Sequence, residues 1–443
     1  MKTVILGAGE SGAGAAVLAK KEGHDVFVSD MGKISEHYKQ ELDSHHIPWE
    51  EGGHTEAKVL AADLAIKSPG IPETAPMVVK LREKGTPIIS EIEFAGRYTS
   101  SKMICITGSN GKTTTTSLIF HILKKAGYDV GLAGNIGRSL ALQVAESPHE
   151  WYVIELSSFQ LDDMFQFRAD IAVLLNITPD HLDRYGFVMQ NYVNAKMRIL
   201  QNQRPEDSFI YWTGDEHVPS ELKKRTVVSR LLPFADTPEA GAVASIDGDE
   251  LKVTAPRAFE MPAAELSLPG KHNRRNSMAA ALACLAAGVD EKDLRAGLSD
   301  FPGVEHRLEK VCDKGGVHYV NDSKATNVDA CRYALEAMTT PVVLILGGKD
   351  KGNDYSEIIP FVKKKCRALV YLGADNAKLH ANFDSLGLPV KDTHSMAECV
   401  QACASLAKEG DTVLLSPCCA SFDLFHNMED RGEQFKARVR ELA

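Results

Sequence analysis

Apolar runs of strand length alternate with longer stretches of helical periodicity along the whole chain. That rhythm predicts parallel sheets covered by helices, an α/β fold. TVIL, DVFVSD, ADLAIKSPGI and PIISEIEF form a first group of runs, and MICITGS, WYVIELSS and ADIAVLLNITPD a second. The second group continues into AVASIDGDELKVTA, a predicted hairpin turning at Asp247-Gly248. It ends on the alanine-rich helical stretch NSMAAALACLAAG. HYVNDS, PVVLILGG, ALVYLG and TVLLSP make a third group. Polar GRYTSSK and the stretch FPGVEHR separate the groups, so the expected domains are 1–97, 98–302 and 303–443. Three domains also suit 443 residues, at roughly one domain per 150.

Composition narrows the partners. A charged content of 25%, a hydrophobic content of 44% and a formal net charge of −10 describe a soluble globular protein without a broad basic face. Nucleic acid and anionic membrane are therefore not expected partners, and any phosphate must be held by a built site. No window supplies the ~20 apolar residues of a membrane helix, and the N-terminal apolar run is too short for a signal peptide. The nine cysteines are scattered without zinc-finger spacing, which predicts free thiols in a reducing compartment, the cytoplasm. A monomer is expected.

Two glycine-rich loops carry the candidate chemistry. Gly7-Ala8-Gly9-Glu10-Ser11-Gly12 follows a strand and opens a helix, where glycines let a diphosphate approach backbone N–H groups. Asp30, at the end of the next strand, could accept hydrogen bonds from a ribose or a base. Alone, this loop reads as a dinucleotide site and makes an NAD-dependent oxidoreductase the rival from another class; a UDP-sugar is the alternative ligand. The second loop, Thr107-Gly108-Ser109-Asn110-Gly111-Lys112-Thr113-Thr114, also joins a strand to a helix. Its amides can cradle phosphates, Lys112 can bridge the terminal ones, and Thr113 can ligate Mg²⁺. Ile106 stands where the full phosphate-loop pattern wants glycine, so the loop is a variant.

Glu155 ends strand WYVIE, and His181 follows strand IAVLLNITP. Strand carboxyl ends share one side of a parallel sheet, so both can approach Thr113 and a bound phosphate. Lys196, in NYVNAKMRIL, reads by pattern alone as a solvated lysine on a helix.

TGSNGKTTTT, GNIG, ELSSFQL, TPDHLDRYG, NYVNAKMRI, PGKHNRRN, EHRLE, NDSKATN and LSPCCASFDLF, in this order, resemble the Mur ligases over essentially the whole chain. NDSKATN and SPCCASFDLF point within them to the D-glutamate-adding branch. The resemblance implies an N-terminal Rossmann-like domain for the UDP substrate, a central phosphate-loop ATPase-like domain, and a C-terminal Rossmann-like domain for the amino acid. It implies an ATP-dependent acid–amino-acid ligase of peptidoglycan precursor synthesis, and hence of cell-wall biogenesis, cell shape and cell division. UDP-N-acetylmuramoyl-L-alanine and D-glutamate would be its substrates, and the UDP site removes the need for NAD.

By resemblance, Gly108, Ser109, Asn110, Gly111, Lys112, Thr113 and Thr114 hold ATP phosphates, with Asn273 and Asn276 near the adenine and Arg307 and Asp322 reaching ATP from the third domain. Thr113 and Glu155 would hold one Mg²⁺, and His181 and Lys196 a second, Lys196 after carbamylation by CO₂. Gly9, Ser11, Gly12, Asp30, Ser68, Gly70 and Asn135 would contact the UDP substrate. Lys324, Thr326, Ser421 and Phe422 would grip D-glutamate, with Lys351 favoured over Lys349 in LGGKDKGND. Lys112, His181, Lys196 and Asp322 are the catalytic candidates, and Asp322 or His181 the alternatives for taking the amine proton. Glu10 would repel a diphosphate unless its side chain points away.

Overall fold

The computed structural model describes residues 1–442 and contains three sheets with helices on their faces. The first has five parallel strands: β1 (Lys2–Leu6), β2 (Asp25–Ser29), β3 (Trp49–Glu50), β4 (Leu64–Lys67) and β5 (Ile88–Ile89), in the order β3-β2-β1-β4-β5. This is the doubly wound arrangement with its switch point after β1, where the first glycine loop leaves the sheet.

Nine strands make the second sheet: β6 (Lys102–Thr107), β7 (Val130–Gly134), β8 (Trp151–Glu155), β9 (Ile171–Leu174), β10 (Ser208–Trp212), β11 (Arg230–Phe234), β12 (Ala244–Asp247), β13 (Glu250–Val253) and β14 (Phe259–Pro262). They are ordered β14-β13-β12-β11-β10-β9-β6-β8-β7, parallel except for the antiparallel edge β12-β13-β14. The predicted hairpin is the β12–β13 turn, with Asp247 opposite Glu250 and Gly248 at φ +60°.

In the third sheet, β15 (Glu309–Lys314) is antiparallel to β16 (Val317–Asn321). The remaining strands β17 (Val342–Gly347), β18 (Cys366–Leu372), β19 (Val390–Thr393) and β20 (Thr412–Cys418) are parallel, in the order β15-β16-β20-β17-β18-β19. Central strands such as β17 and β20 are buried along their whole length, which explains their unbroken apolar sequences.

The chain divides into two compact units, one of residues 1–267 and 274–301 and one of 268–273 and 302–443. The first two sheets share the first unit. Buried Glu93 fastens them, accepting the amides of Phe165 (3.0 Å) and Phe167 (2.8 Å) from the loop before β9. A buried ion pair, Lys67 Nζ to Asp163 (2.9 Å), adds a second tie.

Two expectations change. PIISEIEF is strand only over Ile88–Ile89; Ser90 then caps a helix, Glu91–Gly96, by accepting the Glu93 amide (3.1 Å). Lys196 is not solvated: its side chain is buried on the Met189–Met197 helix. No helix among the described residues is long and apolar enough to cross a membrane, and the nine cysteines are free thiols.

Candidate active site

Four neighbouring strands, β9, β6, β8 and β7, present their carboxyl ends together. From β6 the second glycine loop runs into the Lys112–Lys125 helix, with Gly108 at φ +152° and Gly111 at φ +87° as its N-cap. A β-carbon on Gly111 would stand 2.5 Å from Asn276 Oδ1, so only glycine fits there. The β9 end shapes the loop: Asn176 Oδ1 accepts the Asn110 amide (2.9 Å), and Ser109 Oγ donates to the Thr178 carbonyl (2.8 Å). Lys112 Nζ donates to the carbonyls of Gly108 (2.8 Å) and Ser109 (2.9 Å). Thr113 and Thr114 are buried in the helix's first turn. Backbone amides at a helix N-terminus with an adjacent lysine form an anion cradle.

Glu155, at the end of β8, is buried. Its Oε1 accepts from Asn135 Nδ2 (2.8 Å), whereas its Oε2 has no hydrogen-bond partner. A buried carboxylate oxygen without a donor asks for a cation, so the donor set here fits a hard metal ion. Asn135 thus holds Glu155 from the β7 end. Lys196 Nζ donates to the Gly108 carbonyl (2.8 Å) and lies 4.7 Å over the Tyr192 ring. Burial, and then the positive charge of Lys112, push its amine well below the usual lysine range against the weaker upward pull of Asp180 and Glu155. A neutral lysine amine is a nucleophile. His181 stands in a left-handed conformation (φ +52°), its ring edge-on to Phe159 at 5.2 Å and half-exposed.

Next to the first glycine loop is a cleft of about 480 Å³, lined among others by Gly9, Asp30, Ser68 and Gly70. Ser11 and Gly12 do not line it; Gly12 packs against β1, where a β-carbon would stand 1.9 Å from the Gly7 carbonyl oxygen. Both Asp30 oxygens already accept backbone amides, from Ala8 (2.7 Å) and Gly32 (2.8 Å). Glu10 turns away from the loop: its Oε1 accepts the Ser139 amide (2.7 Å), and Tyr38 donates to its Oε2 (3.2 Å).

In the second unit the expected residues lie at the carboxyl ends of β16, β20 and β17, three adjacent strands. Asp322 is buried, accepting from the Leu308 amide (3.2 Å) and Ser416 Oγ (2.8 Å). Burial pushes its carboxyl up to about 6 against the attraction of Arg307. Arg307 Nε is itself buried without a partner. Lys324 and Thr326 follow on one turn, the Thr326 amide donating to the Lys324 carbonyl (3.0 Å). Ser421 is buried and Phe422 is 68% exposed. The Lys349 amide donates to the Ala420 carbonyl (2.8 Å), while Lys349 and Lys351 are both exposed. Asn273, on the same helix as Asn276, donates to the Pro269 carbonyl (2.9 Å).

Sequence reasoning missed three supports. Asn176 braces the phosphate loop, and Asp180 acts electrostatically on Lys196. Buried Arg431 ties the loops of Ser323 and Cys419 by donating to the Ser323 carbonyl (2.8 Å) and the Cys419 carbonyl (3.1 Å). Asn176 and Asp180 sit in NITPD directly after a buried strand, a signal that was readable. A further acidic group, Glu305, His306 and Glu433, is bridged by the Lys436 ammonium and reads as an ion-pair cluster.

Comparison with known proteins gives three family models in chain order: a MurD N-terminal domain over residues 2–77, a Mur ligase middle domain over 106–284, and a Mur ligase, glutamate ligase domain over 306–419. The UDP-N-acetylmuramoylalanine--D-glutamate ligases of Bacteroides fragilis and Bacteroides thetaiotaomicron are each 63% identical over 442 residues, covering 100% of this chain and of each relative. That of Chlorobium phaeobacteroides is 41% identical over 458 residues, covering 100% of this chain and 98% of its own. Among solved structures, UDP-N-acetylmuramate-alanine ligase MurC from Thermotoga maritima matches with a TM-score of 0.64 at 19% identity, covering 99% of both chains. MurF ligase from the same organism, in complex with ADP, matches with a TM-score of 0.61 at 16% identity, covering 94% of this chain and 96% of its own. At such identities these two structures speak for the fold alone.

Proposed function

This chain belongs to the Mur ligase family, and we propose that it uses ATP to join D-glutamate to UDP-N-acetylmuramoyl-L-alanine in peptidoglycan precursor synthesis. We read it as a cytoplasmic monomer of three domains, 1–97 for the UDP substrate, 98–302 for ATP and 303–443 for the amino acid. The observation that carries the reading is the meeting of the phosphate loop, the half-satisfied Glu155 carboxylate and the buried Lys196 amine at adjoining strand ends.

A carboxylate is a poor electrophile, so the terminal L-alanine carboxylate first attacks the γ-phosphorus of ATP, giving an acyl phosphate and ADP. The D-glutamate amine then attacks the acyl carbon, phosphate leaves through a tetrahedral intermediate, and the amine proton passes to Asp322 or His181. Gly108–Thr114 supply amides to the phosphates, and Lys112 exchanges its loop carbonyls for phosphate oxygens. Thr113, Glu155, His181 and Lys196 would hold Mg²⁺, which when bound neutralises charge on the phosphate oxygens. Lys196 would join that set after carbamylation: burial favours the amine's uncharged form, Nζ of that form attacks CO₂, an N–C bond forms as one C=O π bond opens onto oxygen, and loss of the nitrogen's proton leaves an anionic carbamate.

Gly9, Asp30, Ser68 and Gly70 face the UDP substrate across the cleft, with Asn135 near its muramoyl-alanine end while steadying Glu155. Asn276, packed against Gly111, and Asn273 serve the adenine, and Arg307 serves ATP. Lys324, Thr326, Lys351, Ser421 and Phe422 hold D-glutamate.

The test is phosphate release from ATP with UDP-N-acetylmuramoyl-L-alanine, offering D-glutamate, L-glutamate, L-alanine and meso-diaminopimelate in parallel. Release that needs both the UDP substrate and D-glutamate is expected. Release with another amino acid would move the third-domain assignments, and none under any pairing would sink the reading.

A further inference from the structure

One side chain outside the residues assigned above touches both the UDP-substrate cleft and the turn that carries His181. Arg184 lies in the short helix Leu182–Tyr185, and its amide donates to the His181 carbonyl (3.0 Å). Its guanidinium lies 4.3 Å over the Phe159 ring, the ring that also meets the His181 imidazole edge-on. From there it reaches the first sheet: Nη1 donates to the Gly70 carbonyl (3.3 Å), and Nη2 to the carbonyls of Pro69 and Ile71 (3.4 Å each). Gly70 and Ile71 line the cleft.

The chemistry of these contacts is selective. Carbonyls of three successive residues turned to one point need a planar donor with several N–H groups, which arginine has and lysine lacks. The turn itself needs bracing from outside, because His181 (φ +52°) and Phe187 (φ +58°) both occupy the left-handed region that costs a side-chain-bearing residue free energy. Tyr185 supplies one brace, donating to Asp162 Oδ2 (2.8 Å), and Arg184 supplies the other.

We propose that Arg184 is a positioning residue that couples the UDP-substrate cleft to His181. Its guanidinium holds the cleft wall at Pro69–Ile71, and its backbone and its stacking on Phe159 hold the His181 turn. One residue thereby sets both the affinity for the UDP substrate and the placement of a metal-holding histidine. The inference rests on the reaction proposed above.

The test uses the full chain with Arg184→Ala, Arg184→Lys and Phe159→Leu. Wild-type phosphate release is measured first, since its absence overturns the reaction and the coupling together. Calorimetry then gives the affinity for UDP-N-acetylmuramoyl-L-alanine with neither nucleotide nor metal present, and kinetics give the Mg²⁺ concentration for half-maximal release. Arg184→Ala should weaken substrate binding and raise the Mg²⁺ requirement, each by about tenfold, the size expected for losing charged hydrogen bonds. The KM for D-glutamate should stay unchanged, which a general loss of structure would not allow. Arg184→Lys, which keeps the charge and carries the test if the alanine variant folds poorly, should restore at most part of either effect. Phe159→Leu should raise the Mg²⁺ requirement. A change in substrate affinity alone would make Arg184 a simple cleft residue and overturn the coupling, and so would no change in either quantity.

Discussion

Replacing Lys196 by methionine should abolish activity without destabilising the fold. The amine donates one hydrogen bond, to the Gly108 carbonyl, and that carbonyl also receives Lys112 Nζ at 2.8 Å. Losing the Lys196 bond therefore leaves no orphaned acceptor and costs about 0.5–1.5 kcal/mol. Methionine fills the same unbranched volume, keeps a favourable sulfur contact with the Tyr192 ring, and buries no polar group, so at about pH 10.4, where the unfolded chain's amine also loses its proton, the net change should stay within about 1 kcal/mol. Activity should behave differently. If the residue holds metal against the phosphates, phosphate release should fall at least about 10²–10³-fold, the usual cost of removing one group that stabilises charge in a transition state. A pH signature follows from the same burial. The folded-state amine lies well below the usual lysine range, so the unfolded chain binds one more proton between the folded value and about 10.4. Through that window wild-type stability should rise with pH relative to Lys196→Met, by about 1.4 kcal/mol per pH unit. Urea unfolding in bicarbonate-free buffer from pH 8 to 10 measures the difference, and phosphate release measures activity. Short carboxylates should partly rescue Lys196→Ala, which leaves room for them. Methionine retaining activity within about tenfold, or the two unfolding series running parallel across pH, would refute the reasoning.

Three other expectations rest on separate features. Burial raises the Glu91 carboxyl from 4.5 to about 7. The stability present below 4.5 should be lost as pH rises through 7, by up to about 1.4 kcal/mol per pH unit; Glu91→Gln, still able to accept from Ser139 Oγ and the Ala141 amide, should flatten that slope in urea titrations. Gly111→Ala forces a β-carbon against Asn276 at φ +87° and should cost about 1–3 kcal/mol as well as measurable ATP affinity; calorimetry showing wild-type affinity would contradict it. Asp322, pushed up to about 6, should give D-glutamate-dependent turnover an acidic limb near that pH, and Asp322→Asn should remove the limb along with most of the rate.

The parts of this protein written locally were legible. TGSNGKTTTT reads as a phosphate loop because its strand, glycines and helix start are consecutive, and Gly108 and Gly111 take the positive φ values such a loop needs. Sheet polarity, a rule that acts without knowledge of contacts, also predicted that the carboxyl ends of β8 and β9 lie beside the end of β6, and the strand order β9-β6-β8 agrees. What periodicity could not read is environment imposed from far along the chain. Lys196 looks solvated on its own helix, yet the loop that buries it stands 88 residues earlier. Glu10 looked like an obstacle to a diphosphate, and the amide that turns it aside lies 129 residues later. The ties between the first two sheets, Glu93 and the pair of Lys67 with Asp163, likewise show no departure from an ordinary surface pattern. All five are ionisable residues, whose default placement is solvent. Burying such a group is costly unless partners are supplied, and in each case distant residues supply them. A charged residue that tertiary partners hold out of water is thus the kind of position where a pattern-based reading fails, and for Lys196 the environment that hides its amine from periodicity is the one that weakens its hold on a proton.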